Sequence, residues 1–197
     1  MNELAADEQD RSDMEQLARG HDAALNDLIE RHGRHIFHYV LRHLSSEEEA
    51  SDVTQEVFVK LYKNRLKFRP DGKFSTWLFT IATNLVRDHL RWHQRHPETS
   101  LEARDEEHRS FADVLAENSG SPSEQLIATE RAQQVQRAVQ ALPEELKTSL
   151  ILSEYENLAH AEIGKILGCS PKAVEMRIYR ARQILREKLS ELVEARP

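Results

Sequence analysis

Residues 161–188 read AEIGKILGCSPKAVEMRIYRARQILREK, and the breaks in this stretch decide the fold. Ile163 and Leu167 share one helical face, Gly168-Cys169-Ser170 interrupts the helix, and Val174, Ile178, Ala181 and Leu185 rebuild an apolar stripe beyond it. Pro171 suits the first turn of the second helix, where its missing N–H costs nothing, and Ser170 is placed to cap it. Gly164 leaves room where two helices cross closely. Helix, short glycine turn and helix is the helix-turn-helix arrangement. On a wheel of about 100° per residue set from Val174, the opposite face carries Lys172, Glu175, Met176, Tyr179, Arg180, Gln183 and Arg186. Lys and Arg neutralise phosphates, while Arg, Gln and Glu read base edges in a major groove. A basic helix pair that merely packs gives the same pattern.

The chain around this helix is acidic, with 197 residues and a formal net charge of -7. Its charge is blocked rather than spread. Acids dominate from Met1 to Glu30. From Lys60 to Arg95, nine Lys and Arg face only Asp71 and Asp88; from Glu98 to Glu130 the acids return, opposed by Arg104 and Arg109. Two cationic patches separated by anionic stretches suit a protein that holds nucleic acid at two places, although solvated helix faces are also charged. One cysteine excludes an internal disulfide, and Cys169 reads as a small hydrophobe of the turn. No stretch approaches the roughly 18 apolar residues of a membrane span, and the first residues lack an apolar leader core. A cytoplasmic protein without membrane insertion is expected.

With only 6 Gly and 6 Pro among long runs of Leu, Ala, Glu and Arg, the composition specifies an all-α fold. Gly20 and Gly33 bracket a short amphipathic segment, AALNDLIERH, and a longer helix starts near Arg34. Ser45 or Ser46 caps the next helix, in which Val53, Val57 and Leu61 recur at four-residue steps. RPDGK is a loop by its Pro-Asp-Gly core. FSTWLFTIATNLVRDHLRWHQRH forms one more helix, stopped near Pro97. Residues 1–13 read as disordered, 14–96 as one small helical domain, 97–122 as a flexible acidic linker with a turn around SFADVLAE, and 123–194 as a second helical domain. Pro143 fits the first turn of a helix in that second domain.

Half of the chain's aromatics, Phe58, Tyr62, Phe68, Phe74, Trp77 and Phe79, interleave with Lys60, Lys63, Arg65, Lys67, Arg69 and Lys73. Cations that track phosphates beside rings that stack on bases are the equipment of single-strand binding, and core packing is the competing role for Phe58 and Phe79. In order, DVTQEVFVKLY, FSTWLFTIATNLVRDHLR and LPEELKTSLILSEYENLAHAEIGKILGCSPKAVEMRIYRARQIL resemble an extracytoplasmic-function sigma factor of the sigma-70 superfamily, over nearly the whole chain after Met14. The resemblance implies a promoter-recognition subunit of bacterial RNA polymerase, with helical regions 2 and 4. It implies that Asp52, Gln55, Glu56 and Phe58 dock on the largest subunit of core polymerase. Phe68, Arg69, Phe74, Thr76, Trp77, Asn84, Arg87 and Arg91 fall where the family melts and reads the minus-ten element. Lys172, Glu175, Met176, Arg177, Tyr179 and Arg180 fall where it reads the minus-thirty-five element. Glu175 stands where family members often carry a basic residue. Promoter DNA and core polymerase are thus the implied partners, and anti-sigma control is common in the family. Glu102, Asp105, Glu106 and Glu107 of the linker either imitate nucleic acid on the polymerase or form a solvated tether.

Nothing in the sequence argues for catalysis or a cofactor: there is no Gly-rich phosphate loop and the lone Cys has no activating neighbour. His32, His35 and His38 fan around a helix, and His89 and His93 share a face but lack a convincing third ligand, so no metal site is expected. A stand-alone helix-turn-helix regulator and a helical adaptor are the rival readings.

Overall fold

The computed structural model describes residues 3–96 and 132–194. These form α1 (Glu3–Ala18), α2 (Ala23–Leu44), α3 (Glu47–Lys63), a 3-10 turn (Arg65–Lys67) and α4 (Phe74–Arg95). After the undescribed segment come α5 (residues 132–140), α6 (Glu144–Glu154), α7 (His160–Leu167) and α8 (Pro171–Glu194). The described residues contain no strand, in agreement with the all-α expectation. Residues 97–122 and the segment SFADVLAE lie outside the described residues.

Helices α1 to α4 bury one core. It is built from Leu28, Ile36, Tyr39 and Val40 of α2, Val53, Val57 and Leu61 of α3, and Phe74, Leu78, Ala82 and Val86 of α4. Each side chain of this size contributes about 1.5–3 kcal/mol when fully buried. Ser46 caps α3 by accepting a hydrogen bond from Glu49 N at 3.3 Å, and Ser45 takes the left-handed conformation that ends α2. A buried hydrogen bond of 2.8 Å between Tyr39 Oη and Thr83 Oγ1 fixes α2 against α4.

Two expectations are corrected here. Helix α2 runs unbroken through Gly33, because the apolar stripe on either side outweighs the roughly 1 kcal/mol cost of a mid-helix glycine. Residues 3–18 form a helix, with Met14 and Leu17 buried under α2. Hydrophobic patterning misses α1 because Met14 and Leu17 share its buried face with two carboxylates. Asp10 and Asp13 are 3% and 2% exposed, and both accept from Arg31, with Arg31 Nη2 at 2.9 Å from Asp13 Oδ2. His32 Nε2 lies 2.8 Å from Asp10 Oδ1. One turn earlier, Asp7 Oδ1 accepts the Phe74 N–H at 3.3 Å, occupying one of the orphan donors at the start of α4.

In the second half, α6, α7 and α8 close around Ile151, Leu152, Ile163, Ile166, Val174, Ile178 and Ala181. Gly168 ends α7 at φ 68, as a left-handed cap. Gly164 is required by the turn: a Cβ there would meet the Cys169 carbonyl oxygen at 2.7 Å. Ser170 Oγ accepts from Ala173 N at 3.2 Å and caps α8. Pro143 stands one residue before α6.

Removing Arg31 takes the guanidinium from two buried carboxylates, leaving Asp10 to His32 and Asp13 to the Gln9 amide at 3.0 Å. Arg31→Ala is expected to cost about 3–5 kcal/mol, measured as a lowered urea midpoint at unchanged slope, with α1 the first element to lose amide protection.

Candidate nucleic-acid interface

Helix α8 presents the face expected from the wheel. Met176 and Tyr179 are 41% and 55% exposed, and Lys172, Glu175 and Arg180 are exposed beside them. Lys172 Nζ donates to both carboxylate oxygens of Glu175 at 2.9 Å, one turn apart, and this bond together with the lysine's charge holds Glu175 below its ordinary carboxylate value. Gln183 Nε2 donates to Tyr179 Oη at 3.0 Å. Arg177 departs from the expectation. Its guanidinium turns back to Glu145 of α6 at 2.8 Å and to Cys169 Sγ at 3.5 Å, so it braces the helix pair and does not join the outward face.

A second constellation surrounds the loop at residues 69–73. Gly72 N–H closes the turn onto Arg69 O at 3.1 Å, leaving Arg69, Pro70, Asp71 and Lys73 exposed. At its base, the rings of Phe68 and Trp77 lie 5.3 Å apart and both are half-buried. Phe74 stands behind them at 6.0 and 6.4 Å and is fully buried. Phe74 therefore supports the two half-buried rings from the core, which corrects its assignment to a DNA-facing position. Along α4, Thr76, Thr80, Asn84, Arg87 and Arg91 recur at steps of four, four, three and four and make one polar stripe. Arg91 pairs loosely with Asp88 at 3.8 Å.

The α3 face carries Asp52, Gln55 and Glu56, all exposed. Phe58 is only 5% exposed and serves from the core side. Beside it an open groove runs between α2 and α3, lined by Leu25, Ile29, Phe58, Val59 and Tyr62. Ile29 and Val59 are 39% and 48% exposed there.

The two halves meet across a polar seam that no local sequence signal announces. Gln140 Nε2 donates to the Arg42 carbonyl near the end of α2 at 2.6 Å. Arg42 lies over the Tyr155 ring at 4.3 Å and pairs with Glu156 at 3.3 Å. Lys73, from the loop below the aromatic pair, reaches Glu162 of α7 at 2.9 Å, while the same carboxylate accepts the Ala159 N–H at 2.9 Å and caps α7. His43 is fully enclosed and lies 3.0 Å from Glu144. Burial keeps this imidazole neutral. Its Nε2 has no partner, so the proton sits on Nδ1 and is donated to Glu144. Burial raises Glu144, but the bond from His43 and the neighbouring Lys147 outweigh it and bring the carboxyl down to about 2. Burial pushes Glu156 up to about 7, with Arg42 only partly opposing.

The sigma-70 region 2 family model matches residues 28–96, and the sigma-70 region 4 model matches residues 132–185. The chain belongs to the sigma-70 family. It is 32% identical to the RNA polymerase sigma-H factor of Pseudomonas aeruginosa over 96% of this chain and 98% of that protein. It is 33% identical to the ECF RNA polymerase sigma-E factor of Escherichia coli K12 over 91% of this chain and 94% of that protein, which places it in the extracytoplasmic-function (ECF) group. The structure of CnrH in complex with the cytosolic domain of CnrY aligns with a TM-score of 0.66 at 26% identity, covering 96% of this chain and 99% of that one. The sigma factor RpoE of Bartonella quintana, in complex with the anti-sigma factor NepR, shares the fold at a TM-score of 0.66 and 19% identity, over 84% of this chain and 96% of that one. As an ECF sigma factor the chain serves promoter recognition and transcription initiation. None of its described helices is long and apolar enough to cross a membrane.

The seam should respond to pH through Glu156. A carboxyl raised to about 7 in the folded state and near 4.5 when released disfavours the packed arrangement above about pH 7, and that penalty disappears as pH falls toward 4.5. Energy transfer between dyes on the two halves is expected to weaken from pH 6 to pH 8, and Glu156→Gln is expected to flatten that change.

Proposed function

We propose that the two constellations divide promoter recognition between them: α8 holds duplex at the minus-thirty-five element, and the aromatic pair with the α4 stripe captures unpaired bases at the minus-ten element. The observation that carries this reading is the pairing of half-buried Phe68 and Trp77 beside an exposed cationic loop, a stacking platform at the end of a phosphate track. Opening is then driven by binding alone. Each extruded base costs a few kcal/mol, and stacking returns about 1–3 kcal/mol per base. No bond-making step is assigned to the chain.

In the same reading, Asp52, Gln55 and Glu56 dock on the largest subunit of core polymerase, and the apolar groove beside Phe58 receives part of that partner. The protein works in the cytoplasm, where the polymerase is. An anti-sigma factor is proposed as a further partner, on the strength of the neighbouring RpoE structure, which contains the anti-sigma factor NepR.

The packed seam must part when DNA is bound. The two promoter elements lie about 25 base pairs apart, roughly 85 Å along B-DNA, whereas a compact body of this length has a radius of gyration of about 16 Å. A chain as long as residues 97–131 can reach on the order of 120 Å. Of the seam's charged pairs, Lys73–Glu162 is partly exposed and exchanges readily for water, while the enclosed Arg42–Glu156 and His43–Glu144 contacts must be rehydrated as the halves part.

In reconstituted holoenzyme, Trp77→Ala is expected to lower permanganate reactivity of minus-ten thymines roughly 5- to 150-fold, the equivalent of one lost stacking partner, with polymerase association retained. Undiminished reactivity would remove the platform from the mechanism. Glu175 is placed to accept from a cytosine amino group. Promoter selection with Glu175→Arg should change the preferred base at one minus-thirty-five position, and an unchanged profile at every position contradicts that role.

A further inference from the structure

We propose that Glu49, His89 and His93 form a binding site for a divalent transition-metal ion, with Zn2+ as its natural test ligand. His89 and His93 are one turn apart near the end of α4, and the ligand that sequence spacing does not reveal comes from the first turn of α3. His89 Nε2 and His93 Nε2 lie 2.9 Å apart. Glu49 Oε1 is 3.1 Å from His93 Nε2, and Glu49 Oε2 is 3.4 Å from His89 Nε2. All of the donor atoms fall within 4.8 Å of one another.

These separations match a metal centre. Bonds of about 2.0–2.1 Å at tetrahedral angles put neighbouring donors about 3.3 Å apart, so an ion is accommodated with shifts of a few tenths of an ångström. Without an ion the cluster is poorly served. Two ring nitrogens and a carboxylate converge on one point. Protons on both rings serve the two carboxylate oxygens but set two N–H groups against each other at 2.9 Å, while a proton on one ring leaves the other nitrogen's lone pair facing the carboxylate. A single cation meets all three.

The environment favours the same assignment. The three side chains are 24%, 23% and 25% exposed for His89, His93 and Glu49, enough to dry the ligands on one side while leaving a fourth position for water. Two imidazoles and one carboxylate suit Zn2+, Co2+, Ni2+ or Cu2+ and discriminate against Mg2+ and Ca2+. A cation at the positive end of α3 is opposed by the helix dipole, but Glu47 and Glu48 stand in that turn beside Glu49. Occupancy ties the first turn of α3 to the last turns of α4. The site does not depend on the DNA-facing role given to the α4 stripe.

The test uses the full-length chain without an affinity tag, titrated with Zn2+ by calorimetry and with Co2+ by its visible ligand-field absorption. One equivalent is expected to bind, with a thermal midpoint raised by roughly 5–10 °C at about a hundredfold excess over Kd, and Mg2+ producing neither effect. Glu49→Gln and His93→Gln, each nearly isosteric, are expected to weaken binding more than about a hundredfold, beyond the roughly 10- to 100-fold that follows loss of an outer-shell partner. His21→Gln, at an exposed position between α1 and α2, should leave it unchanged. Absence of a bound equivalent at tens of micromolar Zn2+, or undiminished binding in the Glu49→Gln and His93→Gln proteins, overturns the proposal.

Discussion

The contact between His43 and Glu144 governs how the two halves of this protein sit together. A neutral imidazole, sealed in the N-terminal half, gives its one N–H to a carboxylate of the C-terminal half, and Lys147 and Thr148 hold that carboxylate from the other side. Around this point the seam carries ions, amides and one cation–π contact, at the edge of an apolar core that runs through both halves. Polar interfaces within a chain hold domains in a preferred arrangement without welding them. A sigma factor that must span two promoter elements benefits from that kind of joint.

The same logic separates the parts of each half that are rigid from those that act. In the N-terminal half, the aliphatic stripes of α2, α3 and α4 and the buried Tyr39–Thr83 bond fix the helices. Phe74 transmits that rigidity to Phe68 and Trp77, so the stacking surface proposed for them is set by the core. Preorganisation of this kind spares the ordering cost at the moment of binding. In the C-terminal half, Arg177 does the corresponding work by tying α8 to α6, which leaves Lys172, Glu175, Tyr179 and Arg180 outward.

Much of this was legible in the sequence because it is local. The glycine turn at 168, the cap at Ser170, the four-residue recurrence of Val53, Val57 and Leu61, and the outward face of α8 all follow from helical periodicity and capping chemistry. What stayed hidden was non-local and polar. Helix α1 looked disordered because its burial depends on Arg31, which lies well over a dozen positions further along. Glu49 meets His89 and His93 only because α3 folds back along α4, and the seam partners Arg42 and Glu156 are separated by more than half the chain. Phe74 illustrates the opposite error: its neighbours made it look like part of the exposed platform, but the first residue of α4 points into the core.

Helix α1 also bears on how the protein emerges from the ribosome. The carboxylate of Asp7 is made long before the Phe74 amide it accepts from, and Asp10 and Asp13 wait for Arg31. Once α4 has been synthesised, every partner within the N-terminal half is present and that half can fold as a unit. Glu162 does not yet exist at that stage, so the nascent chain displays Lys73 and the aromatic pair beside it with α7 absent. A partially translated molecule therefore presents Phe68 and Trp77 before it has the helix that later lies against that loop.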